Sequence, residues 1–148
     1  MQLVIGGAFA GKRKIVKDQF DDVGLSWLSS YDGETLDSWR DFWNGQNTFL
    51  VVEGWENWLR EDLRSMAKSE PLTDIREKYR LMFRDFIEEE SRKNKQVILI
   101  MLEMGKGIVP IAAEDRLLRD LAGWIQQDAA ALSDEVVYVW HGLSRRMK

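Results

Sequence analysis

The sequence predicts an α/β domain whose sheet is mostly parallel and covered by helices on both faces. Three observations carry this. Apolar runs recur at residues 2–5, 48–52, 96–102 and 135–140. These runs are near-continuous rather than alternating, as expected of strands buried on both faces. The segments between them are charged and carry apolar residues at helical spacing, and strand alternating with helix is the pattern of a parallel sheet.

Taken in order, Gln2-Leu3-Val4-Ile5 reads as the first strand, and Gly6-Gly7-Ala8-Phe9-Ala10-Gly11-Lys12-Arg13 follows it. Residues 12–20 read as a helix that turns Ile15, Val16 and Phe20 to the sheet, with Asp21-Asp22-Val23-Gly24 ending it. Residues 25–29 alternate loosely, as a short strand would, and Ser30-Tyr31-Asp32-Gly33 reads as a turn. Leu36, Trp39 and Trp43 predict a helix over 34–43, broken by Asn44-Gly45-Gln46-Asn47. The run at 48–52 ends in Glu53-Gly54. Trp55, Trp58, Leu59, Leu63 and Met66 predict a helix over 55–68, and Ser69-Glu70-Pro71-Leu72 breaks it. A long helix over 73–93 packs Ile75, Tyr79, Met82, Phe83, Phe86 and Ile87, with Glu88-Glu89-Glu90 read as a solvated surface. The strand at 96–102 opens into a loop with two glycines and a proline. A helix over 112–131 follows, with Leu117, Leu118, Leu121, Ile125 and Leu132 as its buried stripe. The strand at 135–140 leads through His141-Gly142-Leu143-Ser144 to a basic tail.

Composition narrows the function classes. The 148 residues are expected to form one domain, 1–148. Lys+Arg 21 against Asp+Glu 25 leaves a net charge of −4, which does not suggest a broad nucleic-acid surface. There is no cysteine, so disulfides, thiolate metal sites and thiol catalysis are excluded. The single histidine, His141, rules out two-histidine chemistry within one chain. No run of about 18 apolar residues occurs and the N-terminus does not read as a signal peptide, so a cytoplasmic protein without a membrane partner is expected. Five of the seven tryptophans fall between Trp27 and Trp58. They are read first as core and otherwise as a subunit interface or a pocket for a flat ring.

The chemistry-bearing stretch is residues 6–13. It fits the phosphate-binding template G-x-x-x-x-G-K-[ST] at every fixed position except the last. Glycines let backbone N–H groups converge on a phosphate, the following helix presents its positive end, and Lys12 reaches the outer phosphates. The template's final hydroxyl would hold Mg²⁺, but Arg13 stands there and has no lone pair to offer. The nucleotide-binding candidates are therefore Gly6, Gly7, Ala8, Phe9, Ala10, Gly11, Lys12 and Arg13. The competing reading is a glycine-rich turn with a solvated lysine. Glu53, at the end of a buried strand, is a candidate catalytic and Mg²⁺-holding carboxylate. It reads equally as a strand-end charge meeting solvent. Residues 6–12, Glu53 and 103–107 all lie at predicted strand ends, where such folds bind ligands.

The segment Glu103-Met104-Gly105-Lys106-Gly107-Ile108-Val109-Pro110 resembles the E-V-G-x-G-I-V-P motif of the adenosylcobinamide kinase / adenosylcobinamide-phosphate guanylyltransferase family. The likeness continues through Arg116-Leu117-Leu118-Arg119-Asp120-Leu121-Ala122-Gly123 and residues 129–136, and the loop at 6–13 resembles the family's G-G-A-R-S-G-K-S. It is strong over about 1–16 and 96–143 and thin between them. The resemblance implies a RecA-like P-loop NTPase fold, a three-layer sandwich, and a homotrimer. It also implies GTP or ATP with Mg²⁺ as the cofactors. The implied role is in cobalamin biosynthesis: phosphorylation of a corrinoid side-chain hydroxyl, then guanylyl transfer through a histidine. It carries Lys12 over as the phosphate lysine and Glu53 as the strand-end carboxylate. Glu103, Gly105, Lys106 and Gly107 match a loop expected to touch substrate or nucleotide. Three departures stand against full activity. Arg13 replaces the metal hydroxyl, and Phe9 and Ala10 replace an arginine and a serine. Forty residues (13–52) separate Lys12 from Glu53, fewer than in the family, and none is a histidine. The expectation is a nucleotide-dependent kinase without guanylyl transfer. The alternative is a degenerate member that binds nucleotide or corrinoid, or serves assembly, without turnover.

Overall fold

The computed structural model describes residues 1–20, 24–43, 47–66, 71–107 and 109–148. Parts of the predicted breaks at 21–24, 44–47 and 69–72, the end of the helix predicted over 55–68, and Ile108 of the Glu103–Pro110 motif lie outside them.

Among the described residues, six strands form one sheet: β1 (Gln2–Gly6), β2 (Leu25–Ser29), β3 (Phe49–Glu53), β4 (Gln96–Leu102), β5 (Glu135–Trp140) and β6 (Leu143–Arg146). Their order is β2-β3-β4-β1-β5-β6, and every pairing is parallel except β5 with β6. Helix α1 (Lys12–Gln19) covers one face. Helices α2 (Trp39–Phe42), α3 (Trp55–Ser65), α4 (Leu72–Lys93) and α5 (Ala113–Leu132) cover the other. The two faces explain the continuous apolar runs. In β4, Ile98 and Ile100 enter the smaller core under α1 with Val4, Val16 and Val51. Val97, Leu99 and Met101 enter the larger core on the opposite face.

The larger core answers the tryptophan question for four side chains. Trp39, Trp43, Trp55 and Trp58 are buried there with Tyr79, Phe83 and Phe86. Trp39 stands edge-on to Phe86 at 4.8 Å and Trp55 edge-on to Trp58 at 5.6 Å, the arrangement the ring quadrupole favours. Buried indole N–H groups need partners, and two find backbone carbonyls: Trp55 donates to Val52 (3.0 Å) and Trp58 to Glu34 (2.9 Å). Trp27 is different. It is only partly buried, beside α1 on the other face.

Three local expectations are corrected. The helix expected over 34–43 is a 3₁₀ turn (Leu36–Ser38) followed by the single-turn α2, which still buries Leu36, Trp39 and Trp43. The turn expected at Ser30–Gly33 is present, as a 3₁₀ turn over Ser30–Asp32 closed by Gly33. Leu117 faces outward from α5, and Ala122 and Ala129 join Leu118, Leu121 and Ile125 in the stripe. Glu90 is not a solvated charge: it accepts from the Met1 ammonium (2.8 Å) and from the Val97 N–H (2.6 Å), so it ties α4 to two strands. Beyond these, the basic tail is a strand. β6 returns antiparallel on β5 through a two-residue turn, His141-Gly142, with both φ angles positive (48° and 77°). That is the tight hairpin geometry that strand twist selects. Among the described residues, no helix is long and apolar enough to cross a membrane.

Candidate functional site

The site is built where β1 hands over to α1. Gly6 ends β1 and cannot carry a side chain: a Cβ there would lie 2.2 Å from the Val139 carbonyl oxygen of β5. The loop then turns back, with the Ala10 N–H donating to the Gly7 carbonyl (3.3 Å), and α1 begins at Lys12. The hairpin braces this turn, because the Gly142 N–H donates to the Ala10 carbonyl (2.8 Å). From the other side the Glu103 N–H donates to the Gly6 carbonyl (2.9 Å). Phe9, at the loop's tip, is fully exposed and has a left-handed φ of 56°, a conformation that bulky side chains rarely adopt.

A cleft of about 680 Å³ opens above the loop. It is walled by Ala8 to Lys14, Tyr31, Glu53, Gly54, Glu56, Ile100 and Leu102. This is the size range of small-molecule sites, about 300–1,000 Å³. It lies beyond the carboxyl ends of β1, β3 and β4, where ligands of open α/β sheets are held. Three consecutive cationic side chains, Lys12, Arg13 and Lys14, stand on its wall at the start of α1. The amides of a first helical turn have no intrahelical acceptor and carry the positive end of the helix dipole.

Lys12 folds over its own loop. Its Nζ donates to the carbonyls of Gly6 (2.9 Å) and Gly7 (2.7 Å). Burial pushes this ammonium below its ordinary 10.5, while Glu56, Glu53 and Glu103 pull the other way.

Glu53 is 3% exposed and therefore does not meet solvent as a plain strand-end charge. Arg13 covers it. The guanidinium Nε donates to Glu53 Oε2 at 2.8 Å and Nη2 donates to Oε1, a two-pronged pairing. The Glu53 hydrogen bond is the chief reason that the guanidinium is held above its ordinary pKa. The rings of Trp27 and Tyr31 lie 6.0 and 5.7 Å from the guanidinium carbon. Tyr31 is placed by the contact between its 3₁₀ turn and the start of α3. There Ser30 Oγ donates to the Gly54 carbonyl (2.7 Å), and the Tyr31 hydroxyl donates to Glu56. Burial, and then that bond to Glu56, push the Tyr31 phenol up.

The Mg²⁺ expectation can be tested against these donors. Position 13 offers no lone pair. Both carboxylate oxygens of Glu53 accept from Arg13. Among the described residues, no group of three or more acidic or histidine side chains is gathered to hold an ion. The side chains present do not fit a divalent cation at this position.

Among the described residues, the predicted loop Gly105-Lys106-Gly107 is exposed and does not wall the cleft. Glu103 and Lys106 instead meet at Tyr138 of β5, whose hydroxyl donates to Glu103 Oε2 (2.8 Å) and accepts from Lys106 Nζ (2.7 Å). Tyr31, Glu56 and Trp27 are contributors that sequence reasoning missed. Only the clustering of tryptophans hinted at Trp27, and nothing local marks Tyr31 or Glu56. His141 is the first residue of the β5–β6 turn and packs at a tilt against Trp140, with ring centroids 4.6 Å apart and planes inclined by 56°.

Residues 26–147 match the family model described as cobinamide kinase / cobinamide phosphate guanyltransferase. The chain belongs to this family. The match begins after the Gly6–Arg13 loop and covers all of β3, β4, β5 and β6. No curated protein matches the chain. Membership in the cobinamide kinase / guanyltransferase family makes the fold that of the P-loop NTPases. It also places the chain's role, at the level of the family, in cobalamin biosynthesis as a kinase- or guanyltransferase-like protein.

Proposed function

We propose that this family member binds the phosphates of GTP or ATP over Gly6–Arg13 and transfers a phosphoryl group to a corrinoid side-chain hydroxyl. The observation that carries the reading is the cleft wall, where Lys12, Arg13 and Lys14 stand at the start of α1 above a glycine-rich turn. Phosphoryl transfer asks mainly for positioning and for charge stabilisation, which such a wall supplies. In this reading the Lys12 ammonium leaves the Gly6 and Gly7 carbonyls for the outer phosphates. Guanylyl transfer is proposed to be lost. The chain has no histidine between Lys12 and Glu53, and His141 is engaged in an exposed hairpin turn. No other histidine exists to carry a covalent nucleotide.

A second reading is favoured by one observation, the two-pronged Arg13–Glu53 pairing. With its carboxylate neutralised by a guanidinium, the cleft would hold a nucleotide or corrinoid without turnover. The family's trimer suits either reading.

Calorimetric titration with GTP and with ATP tests the shared premise. The Lys12→Ala variant is expected to lose measurable nucleotide binding, and unchanged affinity in it removes the phosphate-loop reading. Incubation with γ-labelled nucleotide and adenosylcobinamide then separates the two. Label in the corrinoid supports the kinase, and binding without label supports the non-catalytic member.

A further inference from the structure

Four facts about Arg13 belong together. It occupies the position at which the phosphate-loop template has a metal-binding hydroxyl. Its Nε and Nη2 are spent on Glu53, the carboxylate that such a site would turn toward the ion. The rings of Trp27 and Tyr31 lie 6.0 and 5.7 Å from its guanidinium carbon, while about half of the side chain stays open to solvent on the cleft side of the Glu53 pairing. It also lines the phosphate-loop cleft, with Nη1 unpartnered among the described residues. Guanidinium is always charged and carries more donors than one carboxylate can use.

We infer that Arg13 is the resident cation of this site, standing where a divalent ion would bridge the phosphate loop to Glu53, so that nucleotide binds free of metal. The inference rests on the phosphate-binding reading and says how that site works. The chemistry favours a fixed arrangement. If Arg13 swung fully onto the phosphates, Glu53 would be left buried and unpaired, which costs more than the new bond returns. Arg13 therefore keeps Nε and Nη2 on Glu53 and presents Nη1 to a phosphate oxygen. Lys12 supplies the second positive charge. A divalent ion finds neither side-chain ligand, because position 13 carries a guanidinium with no lone pair and Glu53 is already paired to it.

Isothermal titration of the full chain with ATP and with GTP, each in EDTA and in excess Mg²⁺, is the test. Equal affinity in both buffers, within about twofold, is expected of the natural chain. Binding that needs Mg²⁺ overturns the inference but leaves the phosphate-binding reading standing. Binding in neither buffer overturns the phosphate-binding reading itself. In Arg13→Ser, the affinity in EDTA should fall by roughly tenfold or more, since one charge-assisted contact is removed. Mg²⁺ should then restore it, because a hydroxyl and a free carboxylate now face each other. Undiminished affinity of Arg13→Ser in EDTA overturns the inference. Because that variant strands Glu53, the double variant Arg13→Ser/Glu53→Gln is titrated in parallel, with folding followed by circular dichroism. It should show the same loss in EDTA and no rescue by Mg²⁺. Rescue in the double variant would overturn the assignment of Glu53.

Discussion

Glu53 shows how one buried charge governs its neighbours. A carboxylate this far from water is stable only if its oxygens are matched by donors. Arg13 provides them from α1, across the sheet from the residue's own strand. Removing one partner of such a pair leaves the other uncompensated, so the two residues should behave as a unit. Arg13→Ala is expected to lower unfolding stability by about 1–2 kcal/mol, the lower part of the range because half of Arg13 is exposed. Adding Glu53→Gln should recover much of that loss. Urea melts of both single variants and the double variant measure the coupling, and simple additivity would show that the pair is energetically idle. Lys12 follows the same logic in reverse. Its two carbonyl partners carry no full charge, and burial lowers its pKa against the opposing pull of Glu56, Glu53 and Glu103.

At the scale of elements, the site is a junction rather than a single motif. The Gly6–Arg13 loop is held between the β5–β6 turn, which bonds to Ala10, and the first residue after β4, which bonds to Gly6. The hairpin therefore bears on the loop although it lies over 120 residues away in the chain. Gly142 has open space around it and a φ of 77°, so a side chain there would meet no neighbour and only the backbone would be strained. Gly142→Ala should cost roughly 1–2 kcal/mol and speed hydrogen exchange at the residue-142 amide. His141→Asn should be tolerated, since Asn-Gly suits this turn. Equal stability of Gly142→Ala and the natural chain, in thermal melts, would contradict the backbone assignment. The hairpin had a legible signal, a His-Gly pair between an apolar run and Leu143, but the charged tail that follows hides the strand. β6 is exposed along its length, so no apolar periodicity marks it.

For the whole molecule, ion pairs between helices fasten the thicker layer. Arg76 of α4 donates to both oxygens of Asp128 on α5 (2.6 and 2.8 Å), with Arg80 nearby at 4.0 Å. Arg76 holds the Asp128 carboxyl below its ordinary 3.8. A carboxyl whose folded pKa is depressed stabilises the fold fully above its unfolded value, and that contribution is lost as pH falls through the lower, folded value. Asp128→Asn should therefore flatten the loss of stability below pH 3.8. Denaturant midpoints from neutral pH down through the acid limb provide the check. An acid limb identical to that of the natural chain would mean that the pair does not contribute.

The sequence by itself determined the buried strands β1, β3, β4 and β5, the long helices and the phosphate-loop template, because these follow from local periodicity and from residue types at fixed spacing. Val97 to Met101 had to be a two-sided strand, and Gly6, Gly11 and Lys12 had to stand where they do for the template to exist. It also carried the family resemblance, through the Glu103–Pro110 motif and the residues after it. What only the tertiary structure decided was which distant groups meet. The strand order sets β4 between β1 and β3, which fixes the span that Arg13 must bridge to reach Glu53. It seats Tyr31 and Trp27 around Arg13 and turns Glu103 and Lys106 toward Tyr138. The reason is physical. Propensity and periodicity act within a few residues along the chain, whereas an ion pair or a cleft wall depends on distances set by packing the whole sheet.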